Sequence, residues 1–114
     1  MTRKTVFVYD EAMSRHRLRG DHPMRPVRLQ HTFDLLSAYG AFDQNTSQLV
    51  PARPACEAEL GWFHTEEYIQ AVKSFSRGLS EYDMNRFNFS SHGDNPAYPG
   101  MFEAAALSTG GTLV

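Results

Sequence analysis

The first apolar segment of the chain predicts a β-strand. Residues 5–9, with the sequence TVFVY, are β-branched or aromatic throughout. A continuous apolar run of this length is typical of a buried strand in a parallel sheet. Residues 49–52 predict a second, shorter strand, and Pro51 and Pro54 indicate that it lies near a sheet edge, because proline cannot donate to a hydrogen-bonded ladder.

Three segments between residues 26 and 75 predict helices. The first covers residues 26–39, since Pro26 suits a first helical turn and Gly40 suits a helix end. The second covers residues 55–63, and the third follows Thr65, whose hydroxyl can cap a helix N-terminus. The predicted apolar faces are Val27, Phe33, Leu36 and Tyr39 in the first helix, and Tyr68, Ala71, Val72 and Phe75 in the third. Trp62 is predicted to belong to the core.

The C-terminal part of the chain combines a polar connection with an apolar helix. Residues 76–97 are rich in Ser, Asn, Gly and Asp, and we expect Phe87 and Phe89 to attach them to the body of the protein. Residues 101–114 predict a helix that carries no charge after Glu103. Because a helix that is apolar on every side is expected to be buried on every side, we expect this helix to pack against further protein.

The order β-α-β-α indicates an α/β fold with a short parallel strand pair covered by helices. A length of 114 residues fits one domain, which we assign to residues 1–114. A two-stranded sheet is not stable alone, so helices or a partner must cover it.

The composition indicates a folded chain and excludes several kinds of partner. Apolar residues make up 41% of the sequence, which is too many for a disordered segment. A formal charge of -2 gives no physical basis for binding nucleic acid or an anionic membrane, and no stretch approaches the roughly 20 apolar residues of a spanning helix. The single Cys56 excludes a disulfide within the chain and suits a reducing compartment. We therefore predict a cytoplasmic protein.

The residues with chemical potential form few candidate sites. Residues 11–24 predict a long loop, and its basic cluster at residues 15–19 is either a solvated surface or an anion site. The five histidines form no His-x-x-x-His pair, and His92 with Asp94 is one ligand short of a catalytic metal site. The sequence shows no acid and base paired in a predicted cleft and no nucleophile motif, so it does not indicate an enzyme that is active by itself. His22 is expected to order its loop by hydrogen bonding.

Seven short motifs follow one another along the chain. They are YD at 9–10, HPMRPVRL at 22–29, FHTEEYI at 63–69, RFN at 86–88, GDNP at 93–96, PGMFE at 99–103 and TGG at 109–111. In order and spacing this set resembles the arginase/deacetylase superfamily, specifically the histone deacetylases and the bacterial acetoin-utilisation deacetylases. The resemblance covers residues 5–114.

The resemblance implies a truncated N-terminal portion of the arginase/deacetylase fold, about a third of a domain. In that family an Asp-x-His pair and a second Asp hold a zinc ion, and a His-His pair and a Tyr complete the catalytic site. All of these lie downstream of residue 114, so the resemblance implies no catalytic residue, no metal ligand and no cofactor in this chain. It implies that Asp94 binds substrate at the active-site rim, and that Arg28 and Met24 line the channel through which product leaves.

We consider three functions for the chain. The first is an inactive structural module of a deacetylase-like protein, which forms a homodimer through the helix at residues 101–114. The second is one piece of a split deacetylase that hydrolyses acetyl-lysine or small acetylated amides when a complementing fragment joins it. The third is a binding module that uses the 11–24 loop and the Asp94 turn.

Overall fold

The computed structural model describes residues 4–114 and contains a two-stranded parallel sheet. Strand β1 (Thr5–Val8) pairs with strand β2 (Ser47–Val50), and Thr5 lies opposite Ser47. The predicted parallel pair is therefore confirmed. β2 begins two residues earlier than predicted and ends at Val50, because the following Pro51 has no backbone N–H to continue the ladder.

Strand β1 is less buried than its apolar sequence predicts. Val6 is 54% exposed, while Phe7 and Val8 are half-buried. A strand of a parallel sheet is fully buried only when neighbouring strands and helices cover it on both sides. Within residues 4–114 the sheet has two strands, so the prediction of a buried strand is wrong for this chain.

Helix α1 (Val27–Ala38) crosses over between the two strands and matches the predicted helix closely. It ends before Gly40, which adopts a φ of 70°, a left-handed conformation that favours glycine. Phe33 stacks on Tyr9, with 4.6 Å between the ring centroids, and holds the helix to the end of β1. The predicted apolar face is only partly used, because Val27 and Tyr39 are exposed and no residue of α1 is buried.

Two helices come next along the chain after β2, before the polar connection. Helix α2 (Glu57–Leu60) is shorter than the predicted 55–63, and Trp62 beyond it is 74% exposed, so the prediction of a core Trp62 is wrong. Helix α3 (Glu66–Ser76) begins directly after its N-cap Thr65, as predicted. The Thr65 hydroxyl accepts a hydrogen bond from the Tyr68 amide at 3.2 Å and satisfies one of the free amides of the first turn.

The hydrophobic core lies between α3, the connection at residues 77–100 and the last helix, rather than at the sheet. Its buried residues are Ala71, Val72, Phe75, Phe89 and Met101. Phe87 packs against this cluster, so the prediction that Phe87 and Phe89 attach the connection is confirmed. Three 3₁₀ turns complete the described chain, at Glu11–Ser14, Ala41–Asp43 and Met84–Phe87.

Helix α4 (Met101–Leu113) buries one side and leaves the other exposed. Its buried residues are Met101, Ala106, Gly110 and Gly111. Burial on every side, which the sequence predicts, is not found because α3 and the 52–55 segment cover only one side of the helix. Among residues 4–114, no helix combines the length and the apolar character that crossing a membrane would require.

Candidate functional site

An open cleft of about 580 Å³ lies between the loop at residues 14–25 and the first turn of α1. Met24 is one of the residues that line this cleft. Arg28 is the second residue of α1 and lies in the same first turn, but its side chain is exposed and outside the cleft lining. The structure therefore brings Met24 to a cavity, whereas it leaves Arg28 on the open surface of α1.

Asp94 lies in a second loop, which closes on itself between Ser90 and Pro96. The Ser90 amide donates to the Asn95 carbonyl at 3.1 Å, and the Ser90 hydroxyl accepts from the Gly93 amide at 2.8 Å. These bonds fix the backbone on both sides of Asp94, whose carboxylate is exposed to solvent. An exposed carboxylate on a fixed loop is suited to accept hydrogen bonds from amide groups of a ligand.

Two side chains join the loop at residues 14–25 (the cleft loop) to the loop at residues 90–96 (the Asp94 loop). The Arg19 guanidinium donates to the Gly93 carbonyl at 2.8 Å, and the His22 ring bonds to the Asp94 carbonyl at 2.9 Å. His22 is buried and also accepts a hydrogen bond from the Met24 amide, so the prediction that it orders its loop is confirmed. These contacts span more than 70 residues of sequence, and no local pattern could have indicated them.

The basic cluster at residues 15–19 is partly neutralised by acidic neighbours. Arg15 forms an ion pair with Glu11 at 2.8 Å, and Arg19 forms one with Asp21. The hydrogen bond from Arg19 lowers the pKa of the Asp21 carboxyl below its usual value, and the pair therefore stays ionic near neutral pH. Because two of its three arginines are engaged, the cluster is a weaker anion site than its sequence indicates.

His16 lies at the inner side of the same cleft. Its ring stacks on Tyr98 with 6.1 Å between centroids, and burial lowers the pKa of the imidazole. Burial also raises the pKa of the Tyr98 hydroxyl. Both shifts favour the uncharged forms, so the stacked pair of His16 and Tyr98 carries no charge near pH 7.

A second, smaller groove of about 120 Å³ lies between α3 and α4 and is mainly apolar. His64 borders it and stacks on Tyr68 at 4.9 Å between centroids, as expected for a residue that packs at the start of α3. Phe63 beside it is 89% exposed. This groove contains no acid, and its single titratable lining pair, His64 and Tyr68, does not form a catalytic arrangement.

The described residues do not fit the zinc site that the family resemblance implies for an intact enzyme. Within residues 4–114, no three side chains of His, Cys, Asp or Glu come together in a way that could hold a metal ion. Zinc requires three or four such ligands that converge on one point. We therefore assign no hydrolytic step to the residues of this chain.

Comparison with known proteins shows the family. The family described as Histone deacetylase domain matches residues 22–114, and the chain therefore belongs to the histone deacetylase family. It is 37% identical to the acetoin utilization protein AcuC of Bacillus subtilis over 111 residues, which cover 97% of this chain and 28% of AcuC. It is 32% identical to Type-1 histone deacetylase 1 of Dictyostelium discoideum and to histone deacetylase 1 of Homo sapiens, of which it covers 22% and 23%. The chain thus spans about a quarter of the length of these relatives.

Proposed function

We propose that the chain is the N-terminal module of a cytoplasmic, histone deacetylase-like zinc amidohydrolase and is inactive by itself. The observation that carries the proposal is the family match over residues 22–114 in a chain that spans only 22–28% of its relatives. The parallel strand pair and its crossover helix are compatible with one part of an arginase/deacetylase fold. In the intact domain, further chain would extend this sheet and cover it.

The module would contribute binding groups to the intact enzyme, whereas zinc and its ligands would come from the remaining chain. Asp94 would accept hydrogen bonds from the backbone amides of the substrate, because its carboxylate is exposed on a fixed loop. Met24 and Arg28 would line the product channel. Arg28 is exposed in this chain, so protein outside the described residues would have to pack over it to form the channel.

Zinc content and turnover of the isolated chain test the first part of this proposal. Purified protein is loaded with zinc and desalted, and its metal content and its hydrolysis of an acetyl-lysine peptide are then measured. We expect zinc well below one ion per chain and no hydrolysis, because the three or four converging ligands of a zinc site are missing from residues 4–114. Stoichiometric zinc together with turnover by the chain alone would overturn the proposal.

Complementation tests the contribution of Asp94 and the alternative of a split deacetylase. The chain is co-expressed with the part of AcuC that follows its matching region, and deacetylation of the acetyl-lysine peptide is assayed. If activity is reconstituted, Asp94→Asn is expected to raise KM about tenfold, because a charged acceptor of substrate hydrogen bonds is lost. Asp34→Asn, an exposed carboxylate of α1, is the matched control and should leave KM unchanged. An unchanged KM in Asp94→Asn would exclude the assigned role.

The exposed side of α4 supports self-association of the isolated module. Ala105, Leu113 and Val114 are exposed along an almost uncharged helix, and apolar surface of this kind favours contact with a second copy. We expect a homodimer by sedimentation velocity, and Ala105→Glu should shift it to monomer because a charge would be buried in the contact. Ala38→Glu, at the exposed end of α1, is the control. A monomeric wild-type chain at tens of micromolar would contradict homodimer formation.

A further inference from the structure

His22 is a buried histidine in a loop whose other residues are mostly exposed. Only 7% of its surface is accessible, and both of its ring nitrogens are engaged. Nδ1 lies 3.1 Å from the Met24 amide nitrogen, and Nε2 lies 2.9 Å from the Asp94 carbonyl oxygen. One imidazole thus connects the residue that lines the cleft with the residue that carries the exposed rim carboxylate.

The partners of His22 determine where its proton lies. A backbone amide can only donate a hydrogen bond, so Nδ1 must be an unprotonated acceptor toward Met24. A backbone carbonyl can only accept, so Nε2 must carry the proton that is donated to Asp94. The neutral tautomer with hydrogen on Nε2 satisfies both partners, whereas the other tautomer and the doubly protonated ring each lose at least one bond.

Arg19 reinforces the same connection from the neighbouring position. Its guanidinium donates to the carbonyl of Gly93, and His22 donates to the carbonyl of Asp94, so two adjacent peptide groups are held by one loop. The Ser90 hydroxyl holds the Gly93 amide from the other side. The backbone of Asp94 is therefore fixed relative to Met24, although the Asp94 carboxylate remains free to meet a ligand.

We propose that His22 is a positioning residue that fixes the Asp94 loop against the Met24 segment through its Nε2-protonated tautomer. The roles of Asp94 and Met24 in substrate and product binding rest on the proposed function, but the connection itself does not. His22 touches neither substrate nor reacting atoms in this scheme. It sets the distance between the rim of the active site and the wall of the cleft.

Two substitutions separate the two bonds of His22. In His22→Asn the side-chain oxygen can take the place of Nδ1 and keep the bond from the Met24 amide, while the donor to Asp94 is lost. In His22→Gln the side-chain amide can take the place of Nε2 and keep the bond to Asp94, while the acceptor for Met24 is lost. His31→Gln, an exposed histidine of α1, is the matched control.

The experiment is solution NMR of the full chain and its variants. In the wild type, the ¹⁵N shifts of the His22 ring should show an unprotonated Nδ1 and a protonated Nε2. In His22→Gln, hydrogen exchange at the Met24 amide should accelerate about tenfold, while the Asp94 carbonyl ¹³C shift stays in place. In His22→Asn, the opposite pattern is expected, with a shifted Asp94 carbonyl and a protected Met24 amide.

Two results would overturn the assignment. Ring ¹⁵N shifts that report a mixture of tautomers would show that the two bonds are not held together. Equal loss of both signals in both variants would show that His22 only fills space.

In the reconstituted enzyme, His22→Asn should raise KM about tenfold and leave kcat within about twofold of wild type. If the wild-type chain gives no activity with the AcuC fragment, that result would contradict the proposed function. The NMR signatures of the isolated chain would still decide the role of His22.

Discussion

Gly110 in α4 lies where the helix touches the backbone of the 53–55 segment. The Ala55 amide donates to the Ala106 carbonyl at 2.8 Å, one turn before Gly110. A Cβ added to Gly110 would overlap the carbonyl oxygen of Arg53 and lie 2.7 Å from the Ala55 nitrogen. These are backbone atoms, so they cannot rotate away as a side chain would. Gly110→Ala therefore forces the segment away from the helix.

Two unfavourable effects and one favourable effect set the change in the free energy of unfolding. Overpacking of a tight contact costs about 1–3 kcal/mol, and loss of the hydrogen bond from Ala55 to Ala106 costs about 1 kcal/mol. Replacing glycine by alanine within a helix returns about 1 kcal/mol. We therefore expect Gly110→Ala to lower the free energy of unfolding by about 2 kcal/mol. For a chain of this length such a loss lowers Tm by about 8 °C.

Gly111→Ala is the matched control, because it has the same helix propensity gain. A Cβ at Gly111 would approach only side chains, the nearest being the Val8 methyl at 3.3 Å, which can shift by a few tenths of an ångström. In urea unfolding followed by circular dichroism, the free energy of unfolding of Gly111→Ala should equal that of wild type or exceed it by up to about 1 kcal/mol, because only small side-chain shifts oppose the gain in helix propensity. Equal free energies of unfolding for the two variants would refute the reasoning about backbone contact.

Three further changes test the capping, the charge pair and the core. Thr65→Ala should lower the free energy of unfolding by about 1 kcal/mol because the cap of α3 is lost, and no change in the urea midpoint would contradict this. Arg53 binds Glu59 through two hydrogen bonds of 2.8 Å and, with a smaller contribution from the Cys56 amide, holds the pKa of Glu59 at about 2. Because this pKa lies below its usual 4.5, the stability from the pair is present above about pH 4.5 and is lost as the pH falls toward about 2. Arg53→Met should weaken this pH dependence of the free energy of unfolding, as measured by urea titration between about pH 2 and pH 4.5. An unchanged pH profile would show that the ion pair does not contribute to stability. Phe89→Ala should cost about 3–5 kcal/mol because its ring is buried, whereas Phe63→Ala at an exposed site should cost under about 0.5 kcal/mol by the same measurement.

The sequence allowed the local elements to be predicted because their causes lie within a few residues. The cap at Thr65 and the helix end at Gly40 depend on one hydroxyl and one backbone conformation, and both occur as predicted. The family could likewise be inferred from short motifs, and it is confirmed by the match over residues 22–114. The roles of Asp94, Arg28 and Met24 stay predictions, because they require the rest of an active site.

Burial and long-range contact were decided by the tertiary structure. The apolar runs of β1 and α4 indicate that these elements can be buried. Burial also requires other surfaces to cover them, and residues 4–114 cover each element on one side only. The bond between His22 and Asp94 joins residues 72 positions apart, and the contact of Gly110 with Arg53 joins a helix to a distant segment. The sequence alone determined which backbone conformations and helix ends are favourable, because these depend on sterics and hydrogen bonds between near neighbours. Only the folded chain determined which of the surfaces meet, because that depends on how all of the elements pack together in space.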